Sequence, residues 1–262
     1  MKNKVLTGLL LVLIGGWGSL SAQSAGSNYS RQVNTLIGTK GVGLTSGYLY
    51  PGATYPYGMV QFTPSYFSKR SGFVINQLSG GGCEHMGNFP TFPVKGKLKM
   101  SPDNILNYRI NISEEKGHAG YYEAMVQEDI KAKLTVTERT GMASYEYPAD
   151  QQYGTVIIGG GISATPIEQA AIVITAPNKC EGYAEGGNFC GLRTPYKVYF
   201  VAEFDTDALE SGTWKRNELK PNTTFAEGEY SGVYFTFDVN KKKNIQYKIC
   251  LLYTSPSPRD RT

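Results

Sequence analysis

Hydrophobic and polar residues alternate with a period of two along much of this chain. Four longer runs show this alternation, and two shorter runs are rich in β-branched residues: Lys131–Thr137, Tyr196–Phe204, Gly232–Val239 and Asn244–Ile249, with Thr155–Ile158 and Ala171–Thr175. Glycine and proline, 31 and 13 residues, mark the turns between the runs, and no apolar period of 3.6 residues is sustained. The pattern predicts an all-β protein, an antiparallel β-sandwich whose two sheets enclose one core.

The amino-terminal segment has a different pattern. Lys2 and Lys4 precede the apolar run Val5–Ile14, and Ser19–Ala22 ends in small residues, as at a signal-peptidase site. The run is shorter than the about 20 apolar residues that span a bilayer, and no cysteine follows it to carry a lipid anchor. Residues 1–22 are therefore predicted to be a cleaved signal peptide. We expect a bacterial protein that is secreted or periplasmic and has no membrane anchor.

The carboxyl-terminal segment, residues 250–262, lacks the alternation of the strand-like run before it. Residues 250–260 (CLLYTSPSPRD) resemble one reading frame of the transposase adapter DNA used in shotgun sequencing libraries. A disordered terminus is the alternative interpretation. We interpret 250–262 as an adapter-derived, non-native tail, and we expect the natural protein to continue beyond residue 249.

Charge and composition narrow the class of protein. Hydrophobic residues make up 40% of the chain and charged residues 18%, a balance typical of a folded domain. Four of the 26 basic residues and one of the 22 acidic residues lie in the terminal segments, so residues 23–249 hold 22 and 21, a net charge of +1. This near-neutral body argues against nucleic acid or an anionic membrane as partner. Its length suits one β-sandwich domain over residues 23–249.

Three cysteines remain outside the tail. Cys180 and Cys190 could close a short loop by a disulfide in an oxidising compartment, or both could be free thiols, and the sequence leaves these alternatives open. Cys83 has only His85 nearby, which is too few ligands for a zinc site. The same pair is a weak signal for a Cys–His nucleophile, because their spacing in a loop does not set the required geometry.

The segment Tyr50–Gln61 (YPGATYPYGMVQ) contains three tyrosines, two prolines and two glycines. A rigid aromatic loop suits carbohydrate, because sugar rings stack their C–H faces on aromatic faces. The alternative is a well-packed corner of the sandwich, and the sequence slightly favours it.

The segment Leu78–Asn88 (LSGGGCEHMGN) is rich in glycine, which lets the backbone approach a ligand closely. Its Glu84, His85 and Asn88 could hydrogen-bond sugar hydroxyls, although a solvated glycine-rich turn is an equal alternative. Neither this segment nor Gly159–Gly161 has the strand–GxGxxG–helix context of a nucleotide site. The second histidine, His118, is interpreted as a loop residue rather than a ligand.

At these two segments the sequence resembles the N-terminal domain of glycoside hydrolase family 92, the bacterial α-mannosidases. The motifs that carry the resemblance follow in order along residues 33–249: Val33–Thr39, Pro51–Gln61, Ser79–Cys83, Ala119–Tyr122, Lys131–Gly141 and Val198–Phe204. Their number and order make the resemblance more specific than any single motif.

The resemblance implies an N-terminal β-sandwich followed by a larger (α/α)₆ catalytic domain, which is missing from this chain. The family is implied to be calcium-dependent and inverting, and to hydrolyse α-mannosides of mannose-containing glycans. Inversion needs an acid and a base about 6.5–9.5 Å apart. The family places both carboxylates and most calcium ligands in the helical domain. No catalytic residue is therefore assigned here, Glu84 and Glu138 included, and we expect the fragment to be inactive alone.

The substrate-binding candidates carry over from the family's Gly-Cys motif at the domain interface. Gly82 and Cys83 match this motif, and the chain departs from the family just after it, at Glu84 and His85, which we expect to contact the leaving-group sugar. The implied partners are a mannose-containing glycan and the chain's own missing helical domain. The alternative hypothesis is a free-standing carbohydrate-binding β-sandwich, suggested by the aromatic segment and by the lack of a recognisable acid/base pair.

Overall fold

The computed structural model describes residues 29–39, 49–65, 72–77, 86–103, 111–163, 165–189 and 191–253. The predicted signal peptide, residues 1–22, lies outside this part of the chain. A 3₁₀ helix, Tyr29–Gln32, precedes the strands. The described strands, in chain order, are β1 (Ala53–Thr54), β2 (Gln61–Pro64), β3 (Phe73–Val74), β4 (Thr91–Lys95), β5 (Ile112–His118), β6 (Tyr121–Val126), β7 (Ile130–Val136), β8 (Thr140–Glu146), β9 (Tyr153–Gly159), β10 (Ile167–Ala176), β11 (Lys179–Phe189), β12 (Leu192–Phe204), β13 (Glu210–Lys215), β14 (Glu218–Pro221), β15 (Phe225–Glu227), β16 (Ser231–Asp238) and β17 (Asn244–Leu252).

These strands form two antiparallel sheets. Sheet I has the order β1-β2-β3-β4-β9-β16-β13-β14, and sheet II has the order β15-β10-β11-β12-β17-β8-β7-β6-β5. The two sheets pack face to face. The other face of sheet I is also partly buried, because Phe92, Ile157 and Trp214 belong to a second, smaller hydrophobic cluster. The predicted all-β sandwich is confirmed, and the six runs identified from the sequence coincide with strands, two of them ending one residue past the strand, at Thr137 and Val239.

One core fills the space between the sheets. Alternate residues of sheet II point inward, as in β12, where Val198, Phe200 and Ala202 are fully buried. They meet buried residues of sheet I such as Val156 and Phe235 in a single hydrophobic cluster. Burial on this scale is the main stabilising contribution to a sandwich of this size.

The strand β17 continues past the predicted end of the domain. Cys250 pairs with Val201, and Leu251 is fully buried between the sheets. The inward positions Tyr247, Ile249 and Leu251 keep the period of two, so the backbone ladder extends to Leu252. The boundary predicted at residue 249 therefore falls inside a strand. The interpretation of the tail as adapter-derived stays a prediction, and residues 254–262 lie outside the described residues.

The expected alternative of a disulfide between Cys180 and Cys190 does not fit this topology. Cys180 is a buried free thiol near the start of β11, and Phe189, the neighbour of Cys190, ends the same strand. A strand rises about 3.3 Å per residue, so Cys180 and Phe189 lie roughly 30 Å apart, whereas a disulfide needs Cα atoms within about 7 Å. Cys190 itself lies outside the described residues. Burial raises the pKa of the Cys180 thiol, which makes it a poor nucleophile.

Candidate functional site

The site predicted from the sequence lies only partly in the described structure. Gly82, Cys83, Glu84 and His85 lie outside the described residues, so their proposed sugar contacts stay predictions. The residues on either side of them are described. Gln77 and Met86 form an isolated antiparallel bridge, which brings the two ends of the segment 78–85 together.

A cluster of three buried amides, Asn76, Gln77 and Asn88, lies beside this bridge. The Asn76 Nδ2 group donates to Asn88 Oδ1 over 3.0 Å, and the Asn88 backbone N–H donates to Asn76 Oδ1 over 2.8 Å. Asn88 Nδ2 also donates to the Tyr196 hydroxyl of sheet II, 3.0 Å away. Asn88 is fully buried. Its amide therefore holds the backbone in place, and the expectation that Asn88 binds a sugar hydroxyl is wrong.

The backbone at this bridge is strained. Met86 and Phe89 have φ angles of 49° and 54°, a left-handed conformation that is unfavourable for residues with a Cβ. Tertiary contacts hold it there, because the Ser163 hydroxyl donates to the Met86 carbonyl over 2.7 Å and Phe89 packs on Phe200 at 4.2 Å. Strained backbone of this kind concentrates at functional sites.

The aromatic segment Tyr50–Gln61 divides between core and surface. Tyr50 and Val60 are buried, while the side chains of Tyr55 and Tyr57 are 49% and 105% exposed. Gln77 Nε2 donates to the Tyr50 hydroxyl over 2.9 Å, which joins this segment to the amide cluster. The two segments identified from the sequence therefore meet in the structure. The packed-corner alternative fits the start and end of the first segment and fails for its exposed tyrosines.

A cleft of about 250 Å³ opens next to Tyr50. Three parts of the chain line it: the turn around Asn34, Thr35 and Ile37, residues 49–54, and the β5–β6 turn at His118. Beside the cleft, the backbone of β5 at Gly117 packs closely on Thr35, so that a Cβ added to Gly117 would lie 2.2 Å from Thr35 Oγ1. Glycine is therefore required there. The cleft combines three of the motifs that carried the family resemblance.

His118, interpreted from the sequence as an ordinary loop residue, lines this cleft. Its ring stacks on Tyr121 with 5.0 Å between centroids. The Tyr121 hydroxyl in turn donates to Glu123 Oε2 over 2.6 Å. Burial, with the hydrogen bond to Glu123, raises the pKa of Tyr121 to about 12. His118 is the last residue of β5 and pairs with Tyr121, so the interpretation as a loop residue is wrong. The alternation of polar and apolar residues could not reveal its position in the cleft, because the cleft joins segments that are distant in sequence.

Two searches of the described residues concern metals and membranes. Within residues 29–253, apart from the gaps given above, no group of three His, Cys, Asp or Glu side chains could hold a metal ion. The described carboxylates therefore form no cluster of three for a calcium ion, and calcium dependence stays a prediction. No helix in the described part of the chain is long and apolar enough to span a bilayer.

Comparisons with known proteins agree with this fold. Residues 32–251 match the glycosyl hydrolase family 92 N-terminal domain. An uncharacterized secreted glycosidase of Arthroderma benhamiae is 31% identical over 138 residues, which cover 45% of this chain and 17% of that protein.

Two solved structures have the same fold. A family 92 α-mannosidase from Bacteroides thetaiotaomicron superposes with a TM-score of 0.73 at 23% identity, over 87% of this chain and 34% of that one. A family 92 inverting mannosidase from the same species gives a TM-score of 0.69 at 23% identity, over 87% of this chain and 32% of that one. The chain thus spans about a third or less of the length of the relatives it matches. By its match over residues 32–251, the chain belongs to glycosyl hydrolase family 92, of which it carries the N-terminal domain.

Proposed function

We propose that this chain is the N-terminal domain of an exo-α-mannosidase that hydrolyses mannose-containing glycans with inversion and with calcium. The family match over residues 32–251 carries this proposal. Two similar structures are described as an α-mannosidase and an inverting mannosidase. These names support an α-mannoside substrate and an inverting stereochemistry for this protein.

The reaction would need groups that the described residues do not offer. An inverting general acid needs a carboxyl with a raised pKa. Here, the hydrogen bond from Tyr121 lowers the pKa of Glu123, and Lys131 acts in the same direction. Other acidic residues, such as Glu185 and Asp205, are paired with lysines at the surface. We therefore propose that the acid, the base and most of the calcium ligands come from a helical domain, and that this chain alone is inactive.

The surface around the 3₁₀ helix supports a partner domain. Apart from the cleft residues Ile37 and Leu49, the described residues of the range 29–57 include four large hydrophobic residues that are exposed: Tyr29, Val33, Tyr55 and Tyr57. Such a concentration of apolar surface is typical of an interface. We propose that this surface faces the helical domain, so that the cleft lies near the substrate.

The test compares this chain with the longer protein encoded at its natural locus, using an aryl α-mannoside. The longer protein should release mannose, lose activity with a chelator and regain it with calcium, while this chain should release none. Proton NMR should detect β-mannose as the first product if the mechanism inverts. Turnover by this chain alone would contradict the proposal that the catalytic groups lie in the helical domain. An inactive longer protein would contradict the proposed α-mannosidase activity.

Secretion is also part of the proposal. It is supported by the leader pattern in residues 1–22 and by a relative described as secreted. The mature protein, recovered from the periplasm or medium, should begin at Gln23. Recovery with Met1 still in place would contradict cleavage.

A free-standing carbohydrate-binding domain is the second candidate. It is favoured by the cleft, which is lined entirely by residues of this chain. Calorimetry with mannose oligosaccharides tests it, and the absence of heat at millimolar ligand would contradict it.

A further inference from the structure

We infer that the cleft beside Tyr50 binds one hexopyranose ring, with His118 and Asn34 contacting its hydroxyls and Ile37 and Leu49 packing on its apolar face. The ligand class rests on the proposed function. The assignment of these residues rests on the geometry of the cleft.

The volume and the chemistry of the cleft suit a single sugar ring. At about 250 Å³ it is smaller than the about 300–1,000 Å³ of sites for drug-sized ligands. Ile37 and Leu49 line it with side chains that are 71% and 44% exposed. Aliphatic side chains left exposed beside polar groups match a pyranose, which has C–H faces and a rim of hydroxyls.

His118 is held in place before any ligand arrives. Its Nδ1 lies 3.1 Å from the Ala119 carbonyl oxygen, and a carbonyl can only accept, so Nδ1 carries the proton. In the neutral ring, Nε2 is then the unprotonated nitrogen. Stacking on Tyr121 fixes the ring plane. His118 lines the cleft, and we assign its Nε2 as the acceptor of a sugar hydroxyl.

Asn34 supplies the complementary donor. Its Oδ1 accepts the Leu36 backbone N–H over 2.9 Å, which fixes the amide in an Asx turn. Asn34 lines the cleft, and we assign the two N–H donors of its Nδ2 group to sugar hydroxyls. Thr35 is not included among the contacts, because its Oγ1 is buried against Gly117 and turned away from solvent.

The experiment records the imidazole NMR signals of this chain while methyl α-mannoside is added, with glycerol as the non-ring control. The chain has two histidines, so a His118→Phe variant assigns the signals. We expect a saturable shift of the His118 signals with the mannoside and none with glycerol. His118→Phe keeps the ring stack and removes Nε2. Because this variant has no His118 signal, its affinity is measured by calorimetry, and we expect binding about fivefold weaker, the effect of losing one hydrogen bond.

Matched variants separate a binding role from a structural one. Asn34→Asp keeps the Oδ1 acceptor and removes the donors, so it should also weaken binding about fivefold. Ile37→Ser should weaken binding, whereas Leu192→Ser should not. Leu192 is 72% exposed, nearly equal to the 71% of Ile37, and it does not line the cleft. The melting temperatures of these two variants should match that of the parent chain.

The outcomes are distinct. A shift of His118 that saturates, and that Ile37→Ser weakens, supports the site even if the longer protein has no mannosidase activity, in which case only the proposed function fails. If the mannoside shifts other signals and the His118 signals do not change, the proposed site is wrong, while the proposed function is unaffected. An equal response to glycerol, or no response at millimolar mannoside, also overturns the site.

Discussion

At the residue scale, three hydroxyl groups meet in the core and join the two sheets. Thr91 of β4 lies 3.1 Å from the Tyr145 hydroxyl and accepts from the Tyr247 hydroxyl over 2.6 Å, while the two tyrosine hydroxyls are 3.1 Å apart. Each hydroxyl can donate to one neighbour and accept from the other, so burial leaves none unsatisfied. A closed polar network of this kind specifies how the two sheets align.

Replacing Tyr247 by phenylalanine tests this network. The Tyr247→Phe variant keeps the ring and leaves the Tyr145 hydroxyl with one partner fewer, so we expect a loss of about 1–3 kcal/mol in the free energy of unfolding. Urea denaturation measures it. Tyr55→Phe, at a side chain 49% exposed, is the control and should change nothing measurable. Equal stability of the two variants would contradict the network.

The buried tyrosines also make stability depend on pH. Burial raises the pKa of Tyr145, and it raises the pKa of Tyr147 and Tyr247 well above the usual value of about 10. A raised pKa in the folded state means that the unfolded chain releases these protons first. Stability is then fully present below about pH 10 and declines as the pH rises towards the folded-state values.

We therefore expect alkaline unfolding in which tyrosine ionisation and loss of structure coincide. Ultraviolet absorbance of tyrosinate and near-ultraviolet circular dichroism, recorded on one titration, measure the two processes. Full tyrosine ionisation with unchanged circular dichroism would count against buried hydroxyls.

At the element scale, one hairpin turn carries an unfavourable backbone conformation. Gln127 and Glu128 connect β6 to β7 with φ angles of 50° and 77°. Neither residue is glycine, and each pays the steric cost of the left-handed region. The pairing of Val126 with Ile130 closes the turn tightly, so the ladder imposes this conformation.

Relief of this strain should stabilise the protein. Glu128 is exposed, and Glu128→Gly should raise the free energy of unfolding by about 1 kcal/mol, because glycine adopts positive φ without a Cβ clash. Glu227→Gly, in the exposed strand β15, should lower it by about 0.5–1 kcal/mol. Thermal unfolding distinguishes the two signs, and a destabilised Glu128→Gly variant would refute the strain.

At the scale of the whole molecule, aromatic residues join the sheets into one cooperative unit. Phe204 of β12 lies 4.9 Å from Phe235 and 5.1 Å from Phe237 of β16, measured between ring centroids. Its ring also lies 5.1 Å from that of Tyr247. Because both sheets contribute to the same buried cluster, neither can separate without exposing the other.

The Phe204→Ala variant should therefore lose about 3–5 kcal/mol of stability while unfolding remains a single transition. Leu209→Ala, at a side chain 57% exposed, is the control and should stay within about 0.5 kcal/mol of the parent. Calorimetry measures both variants. Two separate transitions in Phe204→Ala would show that the sheets fold independently.

The sequence alone predicted the class of fold because the period of two is a local property. Strands β7 and β12 bury alternate residues, so they could be located without knowing their neighbours. Strand β16 is buried on both faces, which the alternation alone does not predict. The family could also be predicted from the sequence, because its short motifs occur in order along the chain, and the match over residues 32–251 confirms this prediction.

The tertiary structure decided which segments meet. Several contacts join residues that are far apart in sequence. Strand β9 pairs with β16, Gln77 donates a hydrogen bond to Tyr50, and His118 lines a cleft with Asn34. Alternation carries no information on such partners, because they depend on how loops close and on which faces pack. Because β11 is one continuous strand, Cys180 near its start lies far from Phe189 at its end, and this distance argues against the disulfide considered from the sequence. The sequence therefore determined which residues face the core, and only the three-dimensional packing determined which of the others share a cleft.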